Sequence, residues 1–200
     1  MSSATSMWPG LNDPEHSRWY IARFRNKAQI GEDLAGEARL IDAMVERKSR
    51  ILDAGCGTGR TGAYLAAQGH DVVGVDIDPL LIEAAQEDYP NARWITADLV
   101  LLDLPAAGER LPFDAIVSGG NVLPFIPSGL VGQALERMAA HLTPEGVMVI
   151  GFGVHRRLSL DDFDAGVAQA GLRIDNRFES WDLRPWHDDA DFAVSILRKM

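Results

Sequence analysis

The sequence predicts an α/β fold, in which a mostly parallel, doubly wound sheet of seven strands carries helices on both faces. Apolar runs short enough for buried strands alternate with helical patterns along the chain, as in strand-helix-strand units. The first of these strands leads directly into a glycine turn and a helix, which is the order of a nucleotide-binding unit. The 200 residues contain no internal repeat or low-complexity run. We therefore expect a single domain over residues 1–200.

Composition narrows the range of partners. The chain has 19 Lys and Arg residues against 29 Asp and Glu residues, which gives a formal charge of −10 and a pI near 4.9. Polyanions are repelled at long range by such a chain, so DNA, RNA and anionic membranes are not expected as partners. Cys56 is the only cysteine and no paired-ligand spacing is present, so no disulfide and no metal are expected. The apolar runs are too short to span a bilayer and no signal pattern is present, which predicts a soluble, cytoplasmic protein.

The N-terminal region is predicted to form a tail and a helix. Residues 1–12 are small and polar, which predicts a mobile tail. Asp13 as N-cap and Pro14 at the first helical position predict a helix over residues 13–30. This helix either packs on the domain or covers a functional site, because aromatic and basic side chains share one of its faces by three-and-four spacing. They are Trp19, Tyr20, Arg23, Phe24 and Lys27.

The stretch that follows a second predicted helix, over residues 32–47, carries the strongest signal. A short apolar strand begins at Ile51, and Gly55, Gly57 and Gly59 then stand at alternate positions before a helical pattern. A glycine has no Cβ, so the chain can turn tightly there and a ligand can approach the main chain. The helix after the turn offers unpaired N–H groups to that ligand. We therefore predict a ligand-binding turn.

Two ligand classes compete for this turn. The span from Gly57 to Gly62 fits the G-x-G-x-x-G dinucleotide fingerprint by spacing. Asp53 at the strand's end, however, repels a pyrophosphate and attracts the ammonium and sulfonium groups of S-adenosylmethionine. The string Asp53-x-Gly55-x-Gly57-x-Gly59 closely resembles motif I of the class I S-adenosylmethionine-dependent methyltransferases, whose sheet is Rossmann-like. An NAD-dependent oxidoreductase and a non-catalytic S-adenosylmethionine-binding regulator remain as alternatives.

Two further acids are predicted at strand ends of the same sheet. Asp76 ends a strand predicted over residues 71–76, nineteen positions after Gly57, where an acidic residue meets a ribose diol. The family resemblance implies that Asp98, after a strand over residues 92–96, accepts a hydrogen bond from the adenine amino group. The expected cofactor-binding residues are these acids, the motif I residues and their neighbours: Asp53, Gly55, Gly57, Gly59, Asp76, Ile77, Asp98, Leu99 and Gly119.

The fourth predicted strand spans residues 113–118. The loop that follows it gives information on the kind of methyl acceptor. The resemblance implies that Asn121 in this loop faces the methyl-accepting atom. Methylases of nucleic-acid amino groups often carry Asn or Asp before Pro-Pro and an aromatic residue at this point, whereas Val122 follows Asn121 here. Together with the negative charge, this departure favours a small-molecule acceptor over a flipped base. An ordinary turn role for Asn121 is the alternative.

The C-terminal third is predicted to complete the sheet. The resemblance implies that its closing hairpin leaves the last strand antiparallel, as in this family and unlike a dehydrogenase. The pattern predicts, in order, a helix capped by Ser128, a turn over residues 143–146, a fifth strand over residues 147–152, a helix from Ser159 to Gly171, and strands over residues 172–181 and 190–198.

The resemblance also implies the activity, transfer of the sulfonium methyl group to an oxygen, nitrogen, carbon or sulfur atom of the acceptor. An N-terminal helix often covers the site in this family, so residues 13–30 are expected to form a lid. Aromatic side chains suggest an apolar or planar acceptor, and arginines, which include Arg156 and Arg184, suggest an anionic group on it. Candidate catalytic residues are His16, Tyr20, Asn121 and His155, with His187 as a further possible base; candidate substrate residues are Trp19, Tyr20, Arg23, Phe125 and Trp186.

Overall fold

A computed structural model describes residues 5–105, 108 and 112–200. Its strands are β1 (Arg50–Ala54), β2 (Asp71–Asp76), β3 (Arg93–Thr96), β4 (Phe113–Ser118), β5 (Leu142–Gly153), β6 (Leu172–Phe178) and β7 (Phe192–Lys199). Its helices are α1 (Pro14–Gln29), α2 (Gly36–Met44), α3 (Arg60–Ala67), α4 (Pro79–Asp88), α5 (Ser128–Ala140) and α6 (Leu160–Gln169), with short 3₁₀ helices at Pro9–Leu11, Leu99–Leu101 and Leu123–Phe125.

The seven strands form one sheet in the order β3-β2-β1-β4-β5-β7-β6. Strands β1 to β5 pair in parallel, whereas β7 pairs antiparallel with both β5 and β6. The predicted fold class is therefore confirmed, including the antiparallel last strand. The chain order reverses between β1 and β4, and ligands of doubly wound sheets bind at the carboxyl ends of strands beside such a reversal.

Helices cover both faces of the sheet, as the near-continuous apolar strands require. Neighbouring residues of β1 point to opposite faces, so Ile51 and Leu52 belong to different core clusters, and both are fully buried. Leu52 packs in the cluster that holds Leu135 of α5, and Ile51 in the cluster that holds Leu65 of α3. Burying each such side chain stabilises the fold by about 1.5–3 kcal/mol.

Local capping chemistry starts the helices largely where the sequence predicts. The N-cap side chain of Asp13 accepts from the N–H of Glu15 at 3.1 Å, and that of Ser159 accepts from Asp162 at 3.1 Å. The predicted cap at Ser128 is wrong. Ser128 is the first residue of α5, and its N-cap is Pro127, which makes no side-chain cap bond.

Two predicted boundaries differ for physical reasons. Helix α2 is shorter than the predicted 32–47, because Asp33 accepts from the N–H of Ala35 at 3.1 Å and holds that segment in a turn before the helix. The predicted turn at residues 143–146 lies within β5, where the pairing with β4 is irregular between Phe113 and Ala115. Strand pairing outweighs the turn propensity there.

The first described residues differ most from expectation. We call residues 5–12 the N-terminal strap. Its Pro9–Leu11 turn is helical, Gly10 is buried, and the N–H of Met7 donates to the carbonyl of Phe125 at 2.6 Å. The strap is therefore packed on the domain rather than the free tail that composition predicts. Residues 1–4 of that predicted tail lie outside the described residues.

Candidate functional site

A cavity of about 510 Å³ opens at the carboxyl ends of β1, β2 and β4. Its size lies within the usual range of about 300–1,000 Å³ for small-molecule sites. The sheet edge forms one wall, and α1 with the strap forms the opposite wall. The cavity therefore lies at the chain reversal where this sheet topology favours ligand binding.

The tertiary structure brings nearly all the expected cofactor residues to this cavity. Gly59 is the exception, because it lies behind the turn, where an added Cβ would be 2.9 Å from Trp94 and 3.0 Å from Ala85. Its φ of +83° also suits glycine. Gly59 therefore permits close packing of the turn and does not line the cavity. The expected residues that do line it are Asp53, Gly55, Gly57, Asp76, Ile77, Asp98, Leu99 and Gly119.

The glycine turn forms a backbone cradle. Gly55 and Gly57 have φ values of +80° and +55°, a region that side chains rarely adopt. A Cβ on Gly55 would collide with Val122, and one on Gly57 would enter the gap below the Tyr20 ring, 3.6 Å from its nearest atom. Side chains here would therefore strain the turn and narrow the cavity.

Asp76 is held rigidly at the end of β2. Its two oxygens accept backbone N–H groups, Oδ2 from Gly57 at 2.9 Å and Oδ1 from Asp78 at 3.0 Å. Burial raises the pKa of Asp76 to about 6, although these N–H bonds oppose the rise. A carboxylate has about four acceptor positions, so this one retains capacity for the two hydroxyls of a diol.

Asp53 lies deeper, at 2% exposure, beside the start of α3. Its Oδ2 accepts from the N–H of Gly62 at 2.8 Å. Burial raises the pKa of Asp53 to about 7, and the Gly62 bond and the positive charge of Arg60 only partly oppose this. A cation bound nearby would favour the ionised form, so Asp53 is suited to a positively charged ligand.

Asp98 begins the 3₁₀ helix after β3. Its Oδ1 accepts from the N–H of Val100 at 2.9 Å, and the side chain also lines the cavity. The carboxylate has further acceptor positions for a ligand. All three predicted acids thus reach one cavity from three neighbouring strand ends.

The opposite wall is aromatic. Trp8 of the strap meets three rings edge-on, with centroid distances of 4.9 Å to His16, 5.5 Å to Tyr20 and 5.1 Å to Phe125. Trp19 is 55% exposed at the margin of the cavity. Burial raises the pKa of Tyr20, so this hydroxyl stays protonated near neutral pH. The predicted aromatic face of α1 therefore points into the cavity.

Three arginines line the cavity. Arg23 of α1 stacks within 5.6 Å of the Trp19 ring, and Arg156 follows β5. Arg60 also lines the cavity, but Glu37 binds it in a bidentate ion pair at 2.6 and 2.9 Å. The carboxylate of Glu37 thus largely neutralises the positive charge of Arg60.

Some predicted site residues are not brought to the cavity. Trp186 lies in the β6–β7 connection, 5.7 Å from Arg177, and does not line the cavity, so the structure gives no support to its assignment to the acceptor site. His155 is also outside it, 71% exposed and 3.4 Å from Asp191, and His187 pairs with Glu179. Trp186 and His187 lie in the β6–β7 connection, and the side chain of His155 is directed to Asp191 rather than to the cavity.

Asn121 lines the cavity but has a structural bond. Its Oδ1 accepts from the N–H of Gly153 at 2.9 Å, which ties the loop after β4 to the end of β5. This bond is compatible with the alternative, an ordinary turn role for Asn121. The carbonyl oxygen of Asn121 therefore makes a bond to the main chain at the end of β5.

Two residues that line the cavity, Trp8 and Arg60, were not assigned from the sequence. Trp8 stands in the segment predicted as a tail, and no local pattern indicates its contacts with α1. Arg60 directly follows the glycine string, but its partner Glu37 lies 23 positions away in α2. The adjacency to the motif was the only available signal for Arg60.

Comparison with known proteins identifies the family. The sequence-family model of the methyltransferase domain matches residues 51–146. The crystal structure of a TehB-like S-adenosylmethionine-dependent methyltransferase from Corynebacterium glutamicum is 45% identical, covers 94% of this chain and 100% of that chain, and superposes with a TM-score of 0.88. The chain belongs to the class I S-adenosylmethionine-dependent methyltransferases. This confirms the family resemblance and its cofactor, and removes the NAD-dependent oxidoreductase alternative.

Curated relatives match over shorter regions. An uncharacterized methyltransferase of Mycobacterium tuberculosis is 39% identical over 114 residues, 56% of this chain and 54% of its own length. An 18S rRNA (guanine-N(7))-methyltransferase of Bos taurus is 31% identical over 104 residues, 50% of this chain and 33% of its own. The chain thus spans about half the length, or less, of these relatives. Among the described residues, no helix is both long and apolar enough to cross a membrane.

Proposed function

We propose that this protein transfers a methyl group from S-adenosylmethionine to a small-molecule acceptor. One observation carries the proposal: a single cavity joins three strand-end acids to an aromatic wall and to the side chains of Arg23 and Arg156. The acidic half suits a cationic cofactor with hydroxyl and amino donors. The aromatic half leaves open space for a second molecule, which supports an enzyme rather than a non-catalytic regulator.

The residues of the acidic half fit the cofactor. In the proposal, Asp76 accepts both ribose hydroxyls, Asp98 accepts from the adenine amino group, and Ile77 and Leu99 flank the base. Gly55 and Gly57 form the cradle for the methionine end, and Asp53 stabilises its positive charges. Support comes from the remaining acceptor capacity of Asp76 and from the space above Gly57.

Helix α1 and the strap form the lid in this proposal. Tyr20 closes the space above Gly57, with Arg23 nearby to pair with the cofactor's carboxylate. Such a cover excludes water and holds the reacting groups in line. The position of α1 on the cavity side of the sheet supports this role.

The acceptor is proposed to be planar or apolar and to carry an anionic group. Trp19 and Phe125 offer ring faces for the planar part, and Arg156 offers charge for the anion. One relative acts on rRNA, but the formal charge of −10 disfavours a polyanionic substrate for this chain. Trp186 and Arg184 drop out of the predicted acceptor set because neither lines the cavity.

When bound, S-adenosylmethionine supplies an already activated sulfonium methyl group. The protein's contribution is then chiefly orientation and exclusion of water. A base is required only for an acceptor that arrives protonated. His16 is the proposed base in that case, because its ring lies on the cavity wall between Trp8 and Trp19.

Calorimetry followed by a transfer assay tests the proposal. S-Adenosylmethionine and its demethylated product are expected to bind, and NAD is not. Tritiated-methyl transfer is then screened against small anionic aromatic metabolites, with total RNA as a parallel substrate. Transfer to the RNA fraction alone would overturn the small-molecule proposal, and absence of S-adenosylmethionine binding would overturn the whole assignment.

A further inference from the structure

A buried acid behind the cavity joins the lid to the sheet. Asp78 lies between β2 and α4 and is 1% exposed. Its Oδ1 caps α4 by accepting from the N–H of Leu80 at 2.9 Å. Its Oδ2 accepts from the indole Nε1 of Trp8 at 2.8 Å and from the hydroxyl of Ser17. One carboxylate therefore holds the strap and α1 together.

Gly10 of the strap packs directly against the groups that meet at Asp78. A Cβ added to Gly10 would meet the Ser17 hydroxyl, the Trp8 indole nitrogen and Asp78 Oδ2, all at 2.5 Å or less. Only a glycine leaves room for the three polar groups to converge. The packing requirement at Gly10 thus accompanies the hydrogen bonds of Asp78 Oδ2.

The strap has a second anchor across the cavity. The N–H of Met7 donates to the carbonyl of Phe125, in the loop after β4, at 2.6 Å. Trp8 packs against the rings of Phe125 and Tyr20 between the two anchors. The strap thus crosses the cavity from the β4 side, where the acceptor is proposed, to the β2 side.

The junction also reaches the proposed ribose ligand. The backbone N–H of Asp78 donates to Oδ1 of Asp76 at 3.0 Å. We propose that Asp78 is a positioning residue that couples closure of the N-terminal strap to cofactor binding at Asp76. The proposal rests on the proposed function, because the coupling requires Asp76 to bind the cofactor.

Helix capping alone does not account for this arrangement. A cap needs one acceptor oxygen, and Oδ1 of Asp78 supplies it. Oδ2 is used entirely for the strap and α1, through residues 70 and 61 positions distant in sequence. The two oxygens therefore have separable functions, which a conservative substitution can distinguish.

The main test is Asp78→Asn in the full chain. Asparagine caps helices as well as aspartate does, but its single oxygen cannot serve both α4 and the strap. We expect a folded variant whose strap amides, at residues 7, 8 and 10–12, exchange hydrogen faster than in the wild type. We also expect S-adenosylmethionine to bind about tenfold more weakly, as loss of one charge-assisted hydrogen bond implies.

A second variant approaches the same contact from the other side. Trp8→Phe keeps an aromatic ring but removes the indole donor, so its strap exchange and cofactor affinity are expected to change in the same direction. The double variant is expected to be little weaker than either single variant, because both remove one interaction. Ser159→Ala removes the cap of remote α6 and serves as the matched control, with unchanged cofactor affinity.

The outcomes separate this inference from the proposed function. Unchanged strap exchange in folded Asp78→Asn and Trp8→Phe overturns the positioning role, and so does faster exchange with unchanged cofactor affinity. In both cases the methyltransferase proposal stands. A wild-type chain that fails to bind S-adenosylmethionine overturns the proposed function and the coupling together.

Discussion

At the residue scale, Asp76 and Asp53 are buried carboxyls to which the proposed function assigns roles in the ionised form. Their ordinary carboxyl pKa is 3.8, and burial raises it to about 6 and about 7 respectively. Without a ligand, both carboxyls are therefore partly protonated near neutral pH. The proposed cofactor provides cationic groups and hydrogen-bond donors, which interact better with the ionised forms.

The first prediction is that S-adenosylmethionine binds more tightly as pH rises from about 5.5 to about 7.5. Binding requires the ionised carboxyls and so releases protons, and affinity falls about tenfold per pH unit below each raised pKa. Calorimetry in buffers of different ionisation enthalpy measures both the affinity and the protons released. A pH-independent affinity over this range contradicts the proposed roles of both acids.

The second prediction concerns Asp76→Ala. Cofactor affinity is expected to fall about ten- to a hundredfold, since roughly 1.5–3 kcal/mol of charge-assisted hydrogen bonding is lost. The fold is expected to survive, as judged by circular dichroism. Asp188→Ala, at an exposed loop position, is the matched control. If folded Asp76→Ala bound the cofactor as wild type does, another residue would have to hold the ribose.

At the element scale, helix α1 covers the cavity without contributing to the core. Within the described residues, no member of the three buried core clusters comes from α1 or the strap. Ser17 is the buried residue of α1, and Arg25 attaches the helix to α4 through exposed ion pairs with Glu87 and Asp88. Exposed pairs contribute little, about 0–1 kcal/mol each, so α1 is held mainly through its cavity face and Ser17.

The third prediction is that deletion of residues 1–28 leaves a folded sheet but greatly weakens cofactor binding and abolishes methyl transfer. The remaining chain keeps its core clusters, whereas the cavity loses the wall that excludes water. Circular dichroism, calorimetry and the transfer assay measure the three properties. Deletion of residues 1–4 alone is the control. Equal cofactor affinity in the chain lacking residues 1–28 would show that α1 is not a lid.

Elements also differ in how well local sequence predicts them. Strands β2 and β4 match their predicted ranges, because each apolar run is bounded by residues that end it. The turn predicted at residues 143–146 lies within β5 because the neighbouring β4 provides a pairing partner. Strand pairing is a long-range interaction that turn propensity does not include.

At the scale of the whole molecule, the buried carboxyl of Asp53 lowers the stability of the unliganded protein. When a carboxyl has a higher pKa in the folded protein than in the unfolded chain, the free energy of unfolding falls as pH rises from the unfolded-state pKa to the folded-state pKa. The reason is that the carboxyl ionises first in the unfolded chain. For Asp53 this range runs from 3.8 to about 7. The cost above that range is at most about 4 kcal/mol, from about 1.4 kcal/mol per pKa unit.

The fourth prediction is therefore that Asp53→Asn stabilises the unliganded protein at about pH 8 and does so much less at about pH 5. The asparagine oxygen can still accept from Gly62, and the cost of a buried charge disappears. Urea unfolding at both pH values measures the difference, with Asp188→Asn as an exposed control. Equal effects at the two pH values would mean that Asp53 does not titrate in this range. The same variant is expected to bind S-adenosylmethionine more weakly.

The sheet, the glycine turn and the three strand-end acids could all be predicted from the amino-acid sequence. These features follow from local patterns, because parallel strands direct their carboxyl ends to one edge wherever the intervening helices lie. Motif I and the acids of β2 and β3 thus identified the family and the cavity's acidic half before any contact was known.

Tertiary packing specifies which side chains lie opposite those acids. It brought Trp8 to Asp78 across 70 positions, paired Arg60 with Glu37, tied Asn121 to β5 and left Trp186 outside the cavity. Such contacts depend on how distant segments pack, and no local propensity or spacing specifies them. The sequence therefore indicated several of these side chains as candidates, but it could not indicate which residues they contact.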